Sequence, residues 1–313
     1  MPSSIRQMFL GNRAQQAAET PPQDNEPVSG GQRTWQHALY VIRRDPLALF
    51  GVAWISLMIV MALLGPVIAP YPEQGAGRTN VSERLVAPSA AHLMGTDELG
   101  RDIFSRVIYG VQPALFAPLI VVAVAVLVGA PLGALAGYFG GWVDEATMRL
   151  TDLFLAFPSL LLAMAIVALL GPSLVNAVIA LTVSWWPWYT RLVRSTTVAL
   201  RNQYFVEAAR SMGVPDRTII WRHILPNSIS PVLVQATLDI GTVILATTSL
   251  AFIGLGTQPP YADWGLMIEQ GRGFLRDAWW YSFFAGLAIF LTVLSFNLVG
   301  DVLRDIFDPR QYR

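Results

Sequence analysis

An all-α polytopic membrane protein with six transmembrane helices is the fold class this sequence predicts, on three observations. Charged residues make up 13% of the 313 residues and hydrophobic ones 54%, with a mean hydropathy of +0.48. A soluble globular protein carries about 25% charged residues, so roughly half the expected charge is missing. The apolar residues gather into six runs, each near the ~20 residues a helix needs to cross a hydrocarbon core of about 30 Å.

In chain order, residues 1–34 contain AQQAAETPPQDNEPVSGGQ, too polar to bury an ordering core, and are predicted to be a disordered cytoplasmic segment. No apolar run with a small-residue cleavage site precedes it, so it does not read as a signal peptide. The first span, about 47–68, follows RRDPLALF (43–50), where Asp45 suits an N-cap and Pro46 the first helical position. It is expected to stay as an uncleaved anchor. Residues 35–113 comprise this span and an outer loop of about 45 residues, too long for a mere connector. Residues 114–303 form a five-span core, with spans near 114–136, 153–170, 174–192, 232–253 and 283–302. The fourth is the least apolar, because SWWPWY (184–189) has the aromatic character of the headgroup level, with Pro187 expected to bend that end. Residues 304–313 are read as a cytoplasmic tail.

All 21 basic residues are Arg. Placing both termini inside puts fifteen of them on the cytoplasmic side and six outside, the bias the positive-inside rule requires. Absence of Lys excludes a phosphate-binding Walker loop and a Schiff-base lysine. Absence of Cys excludes disulfides and thiolate chemistry. Zero net charge gives no support to a nucleic-acid partner. No cofactor and no metal is expected on this chain, and any ATP used is hydrolysed by another.

Between the fourth and fifth spans lies a cytoplasmic segment, 204–227, that is neither short nor shapeless. Phe205, Ala208, Ala209 and Met212 fall at i, i+3, i+4 and i+7, a helical stripe. Gly213 suits the left-handed residue that ends such a helix. Pro215 and Asp216 suit the start of a second helix with Ile220–Ile224 and Trp221–Leu225 pairs, closed by Pro226. Glu207 can pair with Arg210 at i+3 or with an arginine of another subunit, and His223 covers the second helix. Such a pair can lie on lipid, fold under its own bundle or plug into a partner's groove.

The run Glu207-Ala208-Ala209, Gly213 four residues on, then Ile224-Leu225-Pro226 resembles the EAA motif of ABC importer permeases. GTDELGRDIFSRVIYG (95–110), FIGLGTQPPYADWG (252–265) and NLVGDVLRDIFDP (297–309) resemble, in order, signatures of the dipeptide, oligopeptide and nickel permeases of that family. The resemblance covers residue 36 to the C-terminus and leaves the polar N-terminus unaddressed. It implies a type I importer permease fold in a bacterial inner membrane, with 204–227 as the coupling element that docks on an ATP-binding subunit. It further implies a second, related permease, two ATP-binding subunits carrying ATP and Mg, and a periplasmic binding protein docked on the outer loops. Transport by alternating access of a small solute, a di- or oligopeptide first, is the implied function.

Within the membrane, Gly129, Gly133 and Gly137 form a small-residue face for close helix packing, read as packing inside this subunit in preference to the interface with a second permease. Pro131 and GYFGG (137–141) suggest a bent or frayed cytoplasmic end. Asp239 and Asn297 are the candidates for the translocation path. Asp239 is equally readable as a carboxylate reaching water or Arg near the cytoplasmic end, and Asn297, like Asn176, as polar glue first. Trp279, Trp280 and Tyr281 read as an outer aromatic belt, and Asp144, Glu145 and Asp152 as a charged cluster around Arg149. An ion-coupled secondary transporter is the alternative, but it calls for several buried ionisable groups. An intramembrane hydrolase is disfavoured because all three His (37, 92 and 223) lie outside the spans.

Overall fold

The computed structural model describes residues 45–307. The expectations for 1–34, and for the part of the tail beyond Phe307, lie outside the described residues. Nine helices of eight residues or more organise the described part: α1 Pro46–Ile68, α2 Ile103–Phe139, α3 Gly141–Leu155, α4 Ser159–Leu170, α5 Leu174–Leu200, α6 Tyr204–Ser211, α7 Ile229–Phe252, α8 Trp264–Gly271 and α9 Trp280–Phe307. Helix α9 runs through 304–307, so the expected tail begins as helix.

Four of these, α1, α2, α7 and α9, are long and apolar enough to cross a membrane, and α3 with α4 form a fifth, broken candidate bent by 81°. The third span, expected to run unbroken over 153–170, is interrupted at Ala156–Pro158. Pro158 disfavours helical backbone in the residue before it, and its own ψ of 126° is extended. The twelve residues of α4 rise only about 18 Å, too short to cross a hydrocarbon core of about 30 Å on their own.

The other boundaries moved outward. Helix α2 starts at Ile103 instead of 114, because Asp102 caps it by accepting from the Ser105 N–H at 2.7 Å. At 37 residues it rises about 55 Å, well beyond the hydrocarbon core. It runs through Pro131 and stops sharply at Gly140 (φ 66°), so its end is not frayed. Helix α5 continues through Pro187 to Leu200, which puts SWWPWY in mid-helix with Trp185, Trp186 and Tyr189 buried, not at an interfacial end. Asp45 and Pro46 do open α1 as expected, Asp45 Oδ1 accepting from the Leu47 N–H at 2.8 Å.

Helices α2 and α5 share the tightest seam. A Cβ added at Gly129 would stand 2.6 Å from the Trp186 carbonyl oxygen, and one at Gly137 2.7 Å from that of Arg194. At Gly133 it would collide with the Thr190 carbonyl oxygen. The small-residue face therefore packs inside this subunit. Helices α1 and α9 are joined by the Trp54 indole donating to Thr292 Oγ1 at 3.1 Å, and α1 and α2 by Gln112 donating to the Ala62 carbonyl at 2.8 Å. Leu63 (69% exposed) and Val67 (84%) on α1 face away from the bundle, as lipid-facing side chains do.

The long loop between α1 and α2 is ordered by a buried charge cluster. Asp97 accepts from the Leu99 and Arg101 N–H groups and from Arg101 Nε at 2.6 Å, with Arg106 Nε at 3.7 Å, and all three side chains are buried. Arg106 also donates to the carbonyls of Pro260 and Tyr261, both at 3.3 Å, tying α2 to the loop between α7 and α8. Gly100 lies at φ 73°, where any Cβ would meet the Asn80 carbonyl. Asp263 caps α8, accepting from Thr257 Oγ1 and the Gly265 N–H, both at 2.8 Å, and from the Leu266 N–H. Burial pushes the Asp263 carboxyl up, and these hydrogen bonds oppose that rise. Of the expected aromatic belt only Trp279 is exposed. Trp280 donates to the Thr96 carbonyl and Tyr281 to Gln270 Oε1, so both are interior fasteners.

Gly133→Val is expected to lower stability by roughly 1–3 kcal/mol through overpacking, read as a lower melting temperature in detergent. Gly286→Ala, whose Cβ meets nothing nearer than 4.0 Å, stays near wild type. Asp97→Asn leaves Arg101 and Arg106 buried without their counter-charge, a change worth about 3–5 kcal/mol. Limited proteolysis of residues 70–102 from the outer side is then expected to accelerate markedly.

Candidate functional site

The segment between α5 and α7 folds as a helix, a glycine turn and a second, irregular helix. Helix α6 ends at Ser211 with Met212 as its C-cap, and Gly213 follows at φ 75°, its N–H bonded to the Arg210 carbonyl at 2.9 Å. The left-handed turn expected at Gly213 is thus present. The second helix comprises Asp216–Ile219, a π-helical stretch Ile220–Ile224 and a last turn Leu225–Asn227. Pro226 does not close it. The proline has no N–H to offer Arg222 and its ring crowds that carbonyl, and the Leu225 N–H reaches back to Ile220 instead. Only Ser228 then separates this segment from α7.

The stripe facing the bundle also differs from the one predicted. Val206 and Ala209 are buried on α6, and Ile219, Ile220 and Ile224 on the second helix. Phe205 is 41% and Met212 75% exposed, and Tyr204, Ala208 and Trp221 are exposed too. The unit thus has one apolar face used internally and further apolar side chains left uncovered. Leu225 is half-buried and Pro226 exposed, while His223 is half-buried with its ring 6.5 Å from that of Phe205.

Glu207 is exposed and makes no ion pair among the described residues; the pairing with Arg210 does not form. Arg210 instead lies over the Tyr138 ring, 4.8 Å from its centroid, and donates to the Tyr138 hydroxyl at 3.3 Å. That hydroxyl in turn donates to Asp216. One tyrosine at the end of α2 therefore holds both helices of the segment. Sequence reasoning missed it, because nothing in GYFGG distinguishes Tyr138 from an interfacial aromatic. The charged cluster on α3 is likewise only partly local. Arg149 pairs with Glu145, but Asp152 takes Arg191 at 2.5 Å and Asp144 takes Arg194, both from α5.

Asp239 lies in the middle of α7. Its carboxylate accepts from the Tyr189 hydroxyl at 2.7 Å and from Gln235 Nε2 at 2.9 Å. It lines a cleft of about 580 Å³ between α7, α5 and the start of α4, with Trp185, Trp188, Arg191 and Ser195 along the α5 wall. Asn297 does not reach this cleft. Its amide donates to the Val293 carbonyl at 2.8 Å and abuts Gly241, where α9 meets α7. Asn176 closes the turn before α5 by donating to the carbonyls of Leu170 and Gly171. The structure thus separates Asp239 from Asn297, and the cleft from the coupling segment, which sits near the helix ends.

The family model for the binding-protein-dependent transport system inner membrane component matches residues 129–313. The chain belongs to this family. A second model, the N-terminal TM domain of oligopeptide transport permease C, matches residues 33–88. The dipeptide transport system permease protein DppC of Alkalihalophilus pseudofirmus is 44% identical over 92% of this chain and 95% of its own. The probable D,D-dipeptide transport system permease protein DdpC of Escherichia coli K12 is 43% identical over 92% and 94%. The glutathione transport system permease protein GsiD of Pectobacterium atrosepticum is 42% identical over 88% and 91%. Among solved structures, an inward-facing form of the MetNI methionine ABC transporter superposes with a TM-score of 0.53 at 19% identity, over 64% of this chain and 96% of that one. The fold is accordingly that of an ABC importer permease, and this permease is a membrane component of a transport system. An ion-coupled carrier working alone is not the reading this membership favours.

Tyr138→Phe removes the hydroxyl that bonds Asp216 and Arg210, a loss of about 1–2 kcal/mol. Hydrogen exchange across residues 204–227 is expected to quicken while α2 and α5 keep their protection.

Proposed function

We propose that this permease imports small peptides across the inner membrane as one of two related permease subunits. Two ATP-binding subunits act on its cytoplasmic side and a substrate-binding protein on its outer side. Both termini are cytoplasmic in this reading, as the arginine bias of the sequence favours. The dipeptide and glutathione relatives support the peptide class.

The observation that carries the coupling role is the exposure of Tyr204, Phe205, Met212 and Trp221 on a helix pair anchored to the bundle through Tyr138. A partner surface covering these side chains recovers their apolar burial, and the anchoring lets the pair move as one body. Glu207, Ala208, Ala209, Gly213, Ile224, Leu225 and Pro226 are the coupling residues in this scheme. Glu207 is free to meet an arginine of the ATP-binding subunit, Ala209 and Ile224 hold the segment to the bundle, and Gly213 sets the angle between the two helices. Alternating access then follows: ATP closes the partner dimer, the helix pair carries that closure into α5 and α7, and product release reverses it. The chain itself hydrolyses nothing and binds no cofactor.

The test is substrate-stimulated ATP hydrolysis by the purified, co-expressed complex. Gly213→Pro forces φ to about −65° where the turn needs a positive value and removes the N–H bonded to Arg210. Stimulation is expected to fall severalfold or more, with a smaller loss for Glu207→Arg, while the membrane helices stay folded by circular dichroism. Wild-type stimulation in both variants, or failure of the wild type to recruit an ATP-binding subunit, would overturn the reading.

A further inference from the structure

The cleft around Asp239 has a charge balance that the coupling role does not explain. Arg191, the arginine on the cleft wall, is paired with Asp152 from α3. Asp239 is held only by neutral donors, Tyr189 and Gln235, and no ion pair among the described residues includes it. Asp239 is thus a carboxylate on the cleft wall, at membrane depth, with no charged partner among the described residues. Ser195, Gln235 and Thr242 on its walls are exposed from this subunit, and polar groups at that depth face water or protein rather than lipid. Trp185 and Trp188 add indole surface, which attracts cations across its ring face. Its volume of about 580 Å³ lies within the range of sites that enclose a small ligand.

We propose that this cleft is a station on the translocation path, where Asp239 receives the ammonium group of the passing peptide. The identity of the ligand rests on the peptide reading above; the attraction of the cleft for a cation does not. Asp239 would hold the ammonium by charge, with the indoles of Trp185 and Trp188 against the rest of the solute. Tyr189 donates to the carboxylate from α5 and Gln235 from α7 itself, and holding the ammonium does not depend on the Tyr189 hydroxyl.

Two measurements on the complete importer in proteoliposomes separate these levels. The first uses the natural absence of cysteine. Thr242→Cys is labelled with a cationic, trimethylammonium-bearing thiosulfonate and with its anionic, sulfonate-bearing counterpart. Adding Asp239→Asn, which keeps an oxygen for Tyr189 but loses the charge, is expected to lower the cation-to-anion rate ratio about tenfold, the equivalent of ~1.4 kcal/mol. An unchanged ratio, or a thiol that neither reagent reaches, overturns the proposal. The second is uptake of radiolabelled dialanine beside ATP hydrolysis. Asp239→Asn is expected to cut uptake about tenfold with stimulated hydrolysis retained, Asp239→Glu to restore most of it, and Tyr189→Phe to stay within about twofold. Equal losses in Tyr189→Phe and Asp239→Asn would make the carboxylate a helix fastener and sink the idea. A wild type that takes up no dipeptide, with the labelling ratio as expected, refutes the peptide reading and leaves the cation site standing.

Discussion

The contact between α2 and α5 is the constraint on which the rest of the molecule rests. Inside a bilayer no water is released when two apolar helices meet, so association relies on close packing and on polar contacts between helices. Gly129, Gly133 and Gly137 remove three side chains in register, and the backbone of α5 fills the space. With that seam in place, Tyr138 at the end of α2 stands beside the 204–227 segment, and Arg201 on the loop after α5 donates to the Gly137 carbonyl at 2.9 Å. From within the same seam, where a Cβ at Gly129 would stand 2.8 Å from its own Cβ, Tyr189 reaches Asp239 on α7. A shift of α5 against α2 would disturb the cytoplasmic anchor and the intramembrane cleft together.

The outer end is organised by a different physics. There the chain leaves the apolar phase, and the stretch 95–110 builds an interior from charges. Asp97 serves two arginines, Asp102 caps α2 while accepting from His92 Nδ1 at 2.9 Å, and Trp280 from α9 closes over Thr96. Gly95, Thr96, Asp97, Gly100, Arg101 and Asp102 each have a steric or hydrogen-bonding task in that knot.

Much of this was legible beforehand, and the misses have specific causes. Periodicity and hydropathy located the apolar segments, the N-cap at Asp45 and the turn at Gly213, because those are local properties of the chain. The break at Pro158, the continuation of α5 through Pro187 and the helical passage through Pro226 were misjudged for a common reason. A proline's effect depends on whether neighbouring helices accommodate the lost hydrogen bond, which no local pattern records. The stripe on α6 failed differently. The spacing of Phe205, Ala208, Ala209 and Met212 is helical, but Val206 and Ala209 won the inward face, since a short amphipathic helix between two surfaces has two apolar sides to assign. Tyr138 and the cross-helix pairs of Asp144 and Asp152 are long-range contacts of common residue types and leave no signal in one sequence.

A single residue, Ser228, lies between the last turn of the coupling segment and the start of α7, and its hydroxyl donates to the Ile224 carbonyl at 3.0 Å. Mechanically, such a joint has almost no backlash. In the proposed coupling role, a tilt imposed on Trp221 or Arg222 meets no slack linker before α7 and passes to it along a nearly unbroken helical run.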